Sequence, residues 1–288
     1  MPELQIESFF DEATNTVSYV AFDSDQKKAA VIDPVLDYEA ASGRTSHEGV
    51  KNIVTYLRRE KLDVQWILET HVHADHLSGA QYIQENCGGK LAIGAEVKAV
   101  QKVFGKLFNI GSHFKSDGRQ FDHLFTDGEE FYIGAVAAKA IHTPGHTPAC
   151  MTYHISDAAF VGDTLFMPDY GTARCDFPGG DAGILYRSIQ KIFSLPKETR
   201  LFTCHDYKTT ARTYFAWEST VAEQMANNIH ANSQVDEATF TKWRKKRDLE
   251  LKLPALIIPS VQVNIRGGKF PEEEDNGHQY LKIPINLF

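Results

Sequence analysis

Short apolar runs alternate with stripes at helical spacing through most of the chain. Residues 17–22 and 29–33 have the β-branched and aromatic character of neighbouring strands. Val50, Ile53, Val54 and Leu57 then recur at i, i+3, i+4 and i+7, the stripe of an amphipathic helix. Residues 64–69 predict the next strand, 77–85 a helix, 91–93 a short strand, and a further helix starts near Ala95. Residues 109–127 show no clear period and predict a surface loop. Strands are expected again at 135–141, 150–154 and 158–161. Ile184, Leu185, Ile189, Ile192 and Phe193 mark a helix stopped by Pro196, and 201–204 a buried strand. Past Asp206 the texture changes. Trp217, Val221 and Met225 predict one helix, Phe240 and Trp243 a second, both turning apolar faces to a core. The basic run Lys242, Arg244, Lys245, Lys246 and Arg247 predicts a solvated helix face, and 272–275 an exposed acidic stretch. With no repeat and no long linker, the expectation is an α/β chain forming one catalytic unit over 1–288, in which 208–288 is a short helical C-terminal extension and tail.

The pattern also shows where chemistry sits. His71-Val72-His73-Ala74-Asp75-His76 follows the apolar run Trp66-Ile67-Leu68 and precedes the next helical stretch. In an extended segment alternate side chains point the same way, so His71 and His73 can face one ion. Asp75 and His76 project beside them and can serve a neighbouring ion. Three later residues sit at similar strand ends. His146 lies in Thr143-Pro144-Gly145-His146-Thr147, Asp163 follows the buried run 158–161, and His205 follows 201–204. A buried carboxylate such as Asp163 needs a partner, because an unpaired buried charge is very costly. Each alone can be an ordinary core residue; together they make seven candidate metal ligands.

Composition narrows the classes. A length of 288 residues allows a substantial core, and 42% apolar with 24% charged residues is ordinary for a globular protein. The net charge of −8 argues against nonspecific nucleic-acid binding, which needs a basic footprint. No run approaches the roughly 18 apolar residues of a membrane span. The polar start Met1-Pro2-Glu3-Leu4-Gln5 does not read as a signal peptide. Cys87, Cys150, Cys175 and Cys204 are widely spaced, as expected of free thiols in a reducing cytoplasm.

The seven ligands, in this order, resemble the metallo-β-lactamase superfamily. That resemblance implies an αββα sandwich with the metal site at one edge, between the two sheets. Residues 143–150, 162–166 and 169–180 are more closely similar to bacterial persulfide dioxygenases, relatives of the human ethylmalonic-encephalopathy protein. Residues 33–37, 41–45 and 275–284 fit the bacterial subgroup with a longer C-terminus, so the resemblance covers nearly the whole chain. It implies oxidation of glutathione persulfide by O2 to sulfite and glutathione, at one Fe(II) per chain held by His71, His146 and Asp163. Two histidines and one carboxylate suit non-haem iron with open positions, whereas zinc has no accessible redox step. His73, Asp75, His76 and His205 then support the ligands, or hold a second metal, since every residue a dinuclear site needs is present. The resemblance places Arg174 and Asp176 as an ion pair ordering a loop over the iron, with Arg174 able to meet substrate charge. It gives Tyr207 a hydrogen bond to the glutathione part, and brings Asn264 and Arg266 towards a glutathione carboxylate. Cys175 lies in the same motif, but a relative's cysteine sits where this chain has Thr172, so Cys175 is read as structural. A homodimer is implied as well; no nucleic-acid or membrane partner is expected. The alternative is a glyoxalase II-like thioester hydrolase using all seven ligands for two metals. Asp163 would bridge them and a metal-bound hydroxide would attack the carbonyl. Zinc is the metal expected under that alternative and in recombinant preparations.

Overall fold

The computed structural model describes residues 3–287. Its first half builds β1 (Leu4–Asp11), β2 (Thr16–Asp23), β3 (Lys28–Ile32), β4 (Val35–Glu39), β5 (Arg44–Ser46), α1 (Glu48–Arg59), β6 (Asp63–Leu68), β7 (Leu77–Ser78), α2 (Ala80–Cys87), β8 (Lys90–Gly94), α3 (Val97–Leu107) and β9 (His123–Phe125). The second half adds β10 (Glu130–Ile133), β11 (Val136–His142), β12 (Met151–Ile155), β13 (Ala158–Gly162), α4 (Ala182–Phe193), β14 (Arg200–Thr203), β15 (Glu218–Thr220), α5 (Val221–Asn227), α6 (Glu237–Asp248) and α7 (Ile257–Asn264).

Two sheets form the middle layers, in the orders β1-β2-β3-β6-β8-β9 and β10-β11-β12-β13-β14-β15. Strands β3, β6, β8 and β9 run parallel, joined through α1, α2 and α3, while β13 and β14 are parallel across α4. Such crossovers put helices on the faces, and the central parallel strands β3 and β13 are then buried on both faces. That is why 29–32 and 158–161 read as continuous apolar runs. Tyr19, Ile32, Leu68, Phe125, Tyr153 and Phe160 pack between the sheets. The α1 stripe Val50, Ile53, Val54 and Leu57 packs on the first sheet with α3 and α7. Leu185, Ile189 and Ile192 of α4 cover the second sheet together with Val221 and Phe240. The result is the αββα sandwich.

Several expectations need correction. The stretch 77–85 is not one helix: Leu77–Ser78 pairs with β4 in a small third sheet, and α2 starts at Ala80. The presumed loop 109–127 contains β9, only three residues long and therefore without a readable period. Trp217 does not begin a helix; its carbonyl accepts from Thr203 N–H at the sheet edge and its ring stacks on Phe10, 5.7 Å away. Thr220 and Glu223 form a capping box that starts α5 at Val221. The basic face of α6 is not wholly solvated. Arg244 is buried, forked onto Asp248 (Nε–Oδ1 2.8 Å, Nη2–Oδ1 2.6 Å), and also donates to the Thr172 carbonyl.

Candidate metal centre

The loops leaving the carboxyl ends of β3, β6, β11, β13 and β14 carry Asp33, His71–His76, His146, Asp163 and His205. In open α/β sheets this edge is where ligands bind. Two glycines shape the approach. At Gly162 (φ +52°) an added Cβ would lie 2.7 Å from Thr70 Oγ1, and at Gly145 (φ +135°) 2.3 Å from the Leu185 backbone. Only a residue without a Cβ lets the turns delivering Asp163 and His146 pack so closely.

All seven predicted ligands converge. One ligand atom each from His71, His146 and Asp163 lies within 4.8 Å of the others, and the same holds for His73, Asp75 and His76. Asp163 Oδ2 is 3.6 Å from His146 Nε2 and 3.9 Å from His71 Nε2, while Asp163 Oδ1 is 3.3 Å from His205 Nε2. Asp75 Oδ2 lies 3.1 Å from His205 Nε2. Asp163 therefore stands between two groups of imidazoles.

The partners of the other ring nitrogens fix which atom each histidine presents. His146 Nδ1–H donates to the Arg174 carbonyl (2.7 Å), His76 Nδ1–H to the Leu77 carbonyl (3.1 Å) and His205 Nδ1–H to the Asn15 carbonyl (3.2 Å). Nε2 of each is left with its lone pair facing the cluster. His73 is reversed: Nε2–H donates to Asp33 Oδ1 (2.9 Å), so Nδ1 faces inward. Among the described residues, His73 Nδ1, His76 Nε2, His205 Nε2 and Asp163 Oδ1 are buried without a hydrogen-bond partner. Buried polar atoms are normally satisfied, and a cluster of unpartnered ligand atoms turned towards one another is what a cation would satisfy. The donor set fits a metal.

Electrostatics keep His71 and His76 neutral and competent to ligate. Burial and the neighbouring histidines push the His71 pKa well down, and burial with the His73 charge brings His76 down to about 3. His73 differs. Burial opposes its charge, but Asp33 and Glu69 outweigh that and raise it to about 9. Glu69 itself is pushed up to about 8 by burial. Metal binding at His73 Nδ1 would release that proton.

The remaining expected residues divide. Arg174 does pair with Asp176, through Nε–Oδ1 and Nη2–Oδ2 at 2.6 Å each, and its Nη1 donates to the Lys252 carbonyl (2.6 Å). Tyr207 lines the cavity over the site, its ring 5.9 Å from that of His205. Asn264 does not face that cavity. Its Nδ2 donates to the His73 and His76 carbonyls (2.9 and 2.8 Å) and its Oδ1 accepts from Ser78 N–H (2.8 Å), so its hydrogen-bonding capacity is spent on the histidine loop. Arg266 lies in a different cleft, over the Phe114 ring and bonded to the Gln262 carbonyl. The contact of Asn264 and Arg266 with a substrate carboxylate is therefore not available here. Thr70 and Asp33 were missed as site residues, although Asp33 follows an apolar strand just as Asp163 does.

The cavity measures about 630 Å³ and reaches the cluster at Asp75, His146 and Asp163. Phe166, Tyr170, Phe177 and Leu256 supply apolar wall, and α6 with 251–256 supplies the rim.

A model of the metallo-β-lactamase superfamily matches residues 12–205. This chain belongs to that superfamily. A Burkholderia pseudomallei relative named a probable metallo-hydrolase is 53% identical, over 98% of this chain and 99% of its own. The mitochondrial persulfide dioxygenase ETHE1 of Bos taurus is 29% identical, over 91% of this chain and 88% of its own. The crystal structure of ETHE1 from Myxococcus xanthus has a TM-score of 0.73 at 25% identity, covering 92% of this chain and all of that one. Among the described residues no helix is long and apolar enough to cross a membrane.

Proposed function

We propose that the protein is a cytoplasmic, non-haem Fe(II) persulfide dioxygenase converting glutathione persulfide, O2 and water to sulfite and glutathione. The observation that carries this reading is the triad His71, His146 and Asp163, two imidazoles and one carboxylate within 4.8 Å, open to the cavity through His146 and Asp163. This is the ligand set of mononuclear iron oxygenases. Likeness to named persulfide dioxygenases over nine-tenths of the chain supports it. Iron bound there would supply redox-active positions on which persulfide and O2 meet. The chain's own residues do the rest. Arg174 holds His146 by its carbonyl and ties the rim to the site through Lys252. Phe166 and Phe177 give the cavity an apolar wall beside the triad, and Tyr207 offers a phenol towards the substrate. The catalytic unit extends over 1–288, because α7 holds the histidine loop and 251–256 line the cavity. A homodimer belongs to the same proposal.

One observation favours a second reading. Asp75, His76 and His205 also converge beside Asp163, which suits a two-metal thioester hydrolase. The deciding experiment is oxygen uptake by anaerobically Fe(II)-loaded protein given glutathione persulfide, with sulfite quantified and metal counted. Uptake matched by sulfite at one iron per chain, and lost in His146→Ala, is expected. No uptake at that loading, with hydrolysis of a glutathione thioester at two metals per chain, would move the assignment to the hydrolase.

A further inference from the structure

The cleft that Arg266 enters shares no lining residue with the metal cavity. It measures about 480 Å³ and lies between the 110–120 loop, the end of α7 and the chain's tail. Its walls are stitched together from within. The fully buried Gln101 side chain accepts from Gly118 N–H (2.9 Å) and donates to the Ile265 carbonyl (2.9 Å). Gln262 clasps the tail at Lys282, donating to its carbonyl and accepting from its N–H at 2.9 Å each. Satisfied buried networks of this kind hold their neighbours in one arrangement.

The arginine in this cleft differs from its counterparts. Every other arginine sheltered from solvent, Arg174, Arg200, Arg212 and Arg244, is paired with a carboxylate. Arg266 is half-buried, yet among the described residues it has no ion pair. Its Nη1 donates to the Gln262 carbonyl, and the guanidinium lies 5.1 Å from the centre of the Phe114 ring. Nε and Nη2 make no hydrogen bond among the described residues. Those two atoms form an edge with which an arginine grips a carboxylate or phosphate through two parallel bonds. Burial pulls the Arg266 pKa down, and Glu272 is the charge that acts against this.

The other charges on the cleft leave that edge available. Lys115 and Lys282 each give one donor to a backbone carbonyl, of Ser112 (2.9 Å) and Asn109 (2.6 Å), and Lys269 has no carboxylate partner among the described residues. Arg119 is held by Asp117. Glu272, Glu273 and Glu274 are exposed, and none forms an ion pair with these cations among the described residues.

We propose that this cleft is a second ligand site, independent of the reaction at the metal centre, for a small organic anion. Its carboxylate or phosphate would sit on the Nε–Nη2 edge of Arg266, and a flat apolar body would lie against Phe114 and Tyr280. The volume is in the range of small-molecule sites, and a bare phosphate would leave most of it unfilled.

The test is calorimetric titration of the metal-loaded full chain with phenyl phosphate, phenylacetate and inorganic phosphate. Wild type is expected to bind one of the two ring-bearing anions more tightly than inorganic phosphate, and the preferred one tells whether the site is built for phosphate or carboxylate. Arg266→Met should weaken that binding about tenfold or more, and Arg266→Lys should restore little of it, because an ammonium has no fork. Glu272 is exposed, so Glu272→Gln leaves the fold intact and should tighten binding about twofold to threefold. Arg247→Met, which alters the metal cavity and not this cleft, should change nothing. Binding lost in Arg247→Met and kept in Arg266→Met would place the anion in the metal cavity and overturn the proposal. So would no binding, inorganic phosphate binding as tightly as the ring-bearing anions, or affinity unaltered by both Arg266→Met and Glu272→Gln.

Discussion

Asp33→Asn isolates how the metal-binding atoms are selected. Asp33 Oδ1 accepts from Thr70 N–H (2.7 Å) and His73 Nε2–H (2.9 Å), and Oδ2 accepts from the Thr70 hydroxyl (2.8 Å). With its proton given to Asp33, the Thr70 hydroxyl accepts from His71 Nδ1–H, 3.1 Å away, and His71 Nε2 keeps its lone pair for the metal. One carboxylate thus sets His73 directly and His71 through Thr70. Asparagine tolerates the backbone at φ +48° as aspartate does, so the substitution leaves the chain path intact. Its carbonyl can replace Oδ1, but its amide must then donate where Oδ2 accepted. The Thr70 proton turns to His71 Nδ1, and the His71 proton moves to Nε2, the atom the metal needs. Charge-assisted bonds contribute roughly 1.5–3 kcal/mol against about 0.5–1.5 for neutral ones, a loss of about 1 kcal/mol each. With the tautomer reversed, metal affinity should fall about 10–100-fold, the range seen for such outer partners. Chelator competition on Asp33→Asn, Thr70→Val and wild type measures this, with apo-protein melting as the control for folding. Thr70→Val removes the wrong donor along with the right acceptor, so it should lose less affinity than Asp33→Asn. Wild-type affinity in Asp33→Asn would refute the relay.

Other consequences can be checked directly. Asn264→Leu leaves the Ser78 N–H and the His73 and His76 carbonyls without their buried partner; at roughly 1–3 kcal/mol per orphaned group, urea unfolding should show a loss of about 3 kcal/mol or more, with metal content reduced. An unchanged midpoint and full metal content would show that the loop does not need its clamp. His230 titrates at about 4 in the fold against about 6.5 unfolded. The unfolded chain therefore binds the extra proton between those values, and stability is lost as pH falls through that window. His230→Phe should flatten this part of the acid unfolding curve, and an identical slope would contradict a neutral His230. Burial pushes the Cys150, Cys175 and Cys204 thiols well up, whereas Cys87 is only half-buried. Iodoacetamide at pH 8 should modify native protein at Cys87 alone, read by peptide mass spectrometry. Native labelling of Cys175 would reopen a reactive role for it.

The metal cluster was legible because its residues break apolar runs at strand ends, a signal that survives in one dimension. Asp33 carries the same signal, between 29–32 and Pro34, but a lone carboxylate there does not reveal that it meets His73 across the chain. Edge strands were harder. In β1, Gln5, Glu7 and Ser8 interleave with Ile6, Phe9 and Phe10, which are only partly buried, and β7 has two residues. Nor does a local motif reveal which cleft a side chain enters. Asn264 and Arg266 sit two positions apart at the end of α7, yet one is buried against the histidine loop and the other enters a separate cleft. Arg247 and Lys252, within and beyond a stretch that looked merely solvated, reach the cavity instead.

The Asn264 clamp also has a meaning in time. The carbonyls it grips belong to residues made 188 and 191 positions earlier. At about 5–20 residues per second of synthesis, the histidine loop waits roughly 10–40 s for its clamp. Through that interval the nascent chain displays imidazoles and carboxylates that no finished pocket yet screens. Selection of the right ion therefore falls late, after the C-terminal helix has docked, and a transcript truncated even shortly before α7 should yield a chain that folds its sheets yet loads metal poorly.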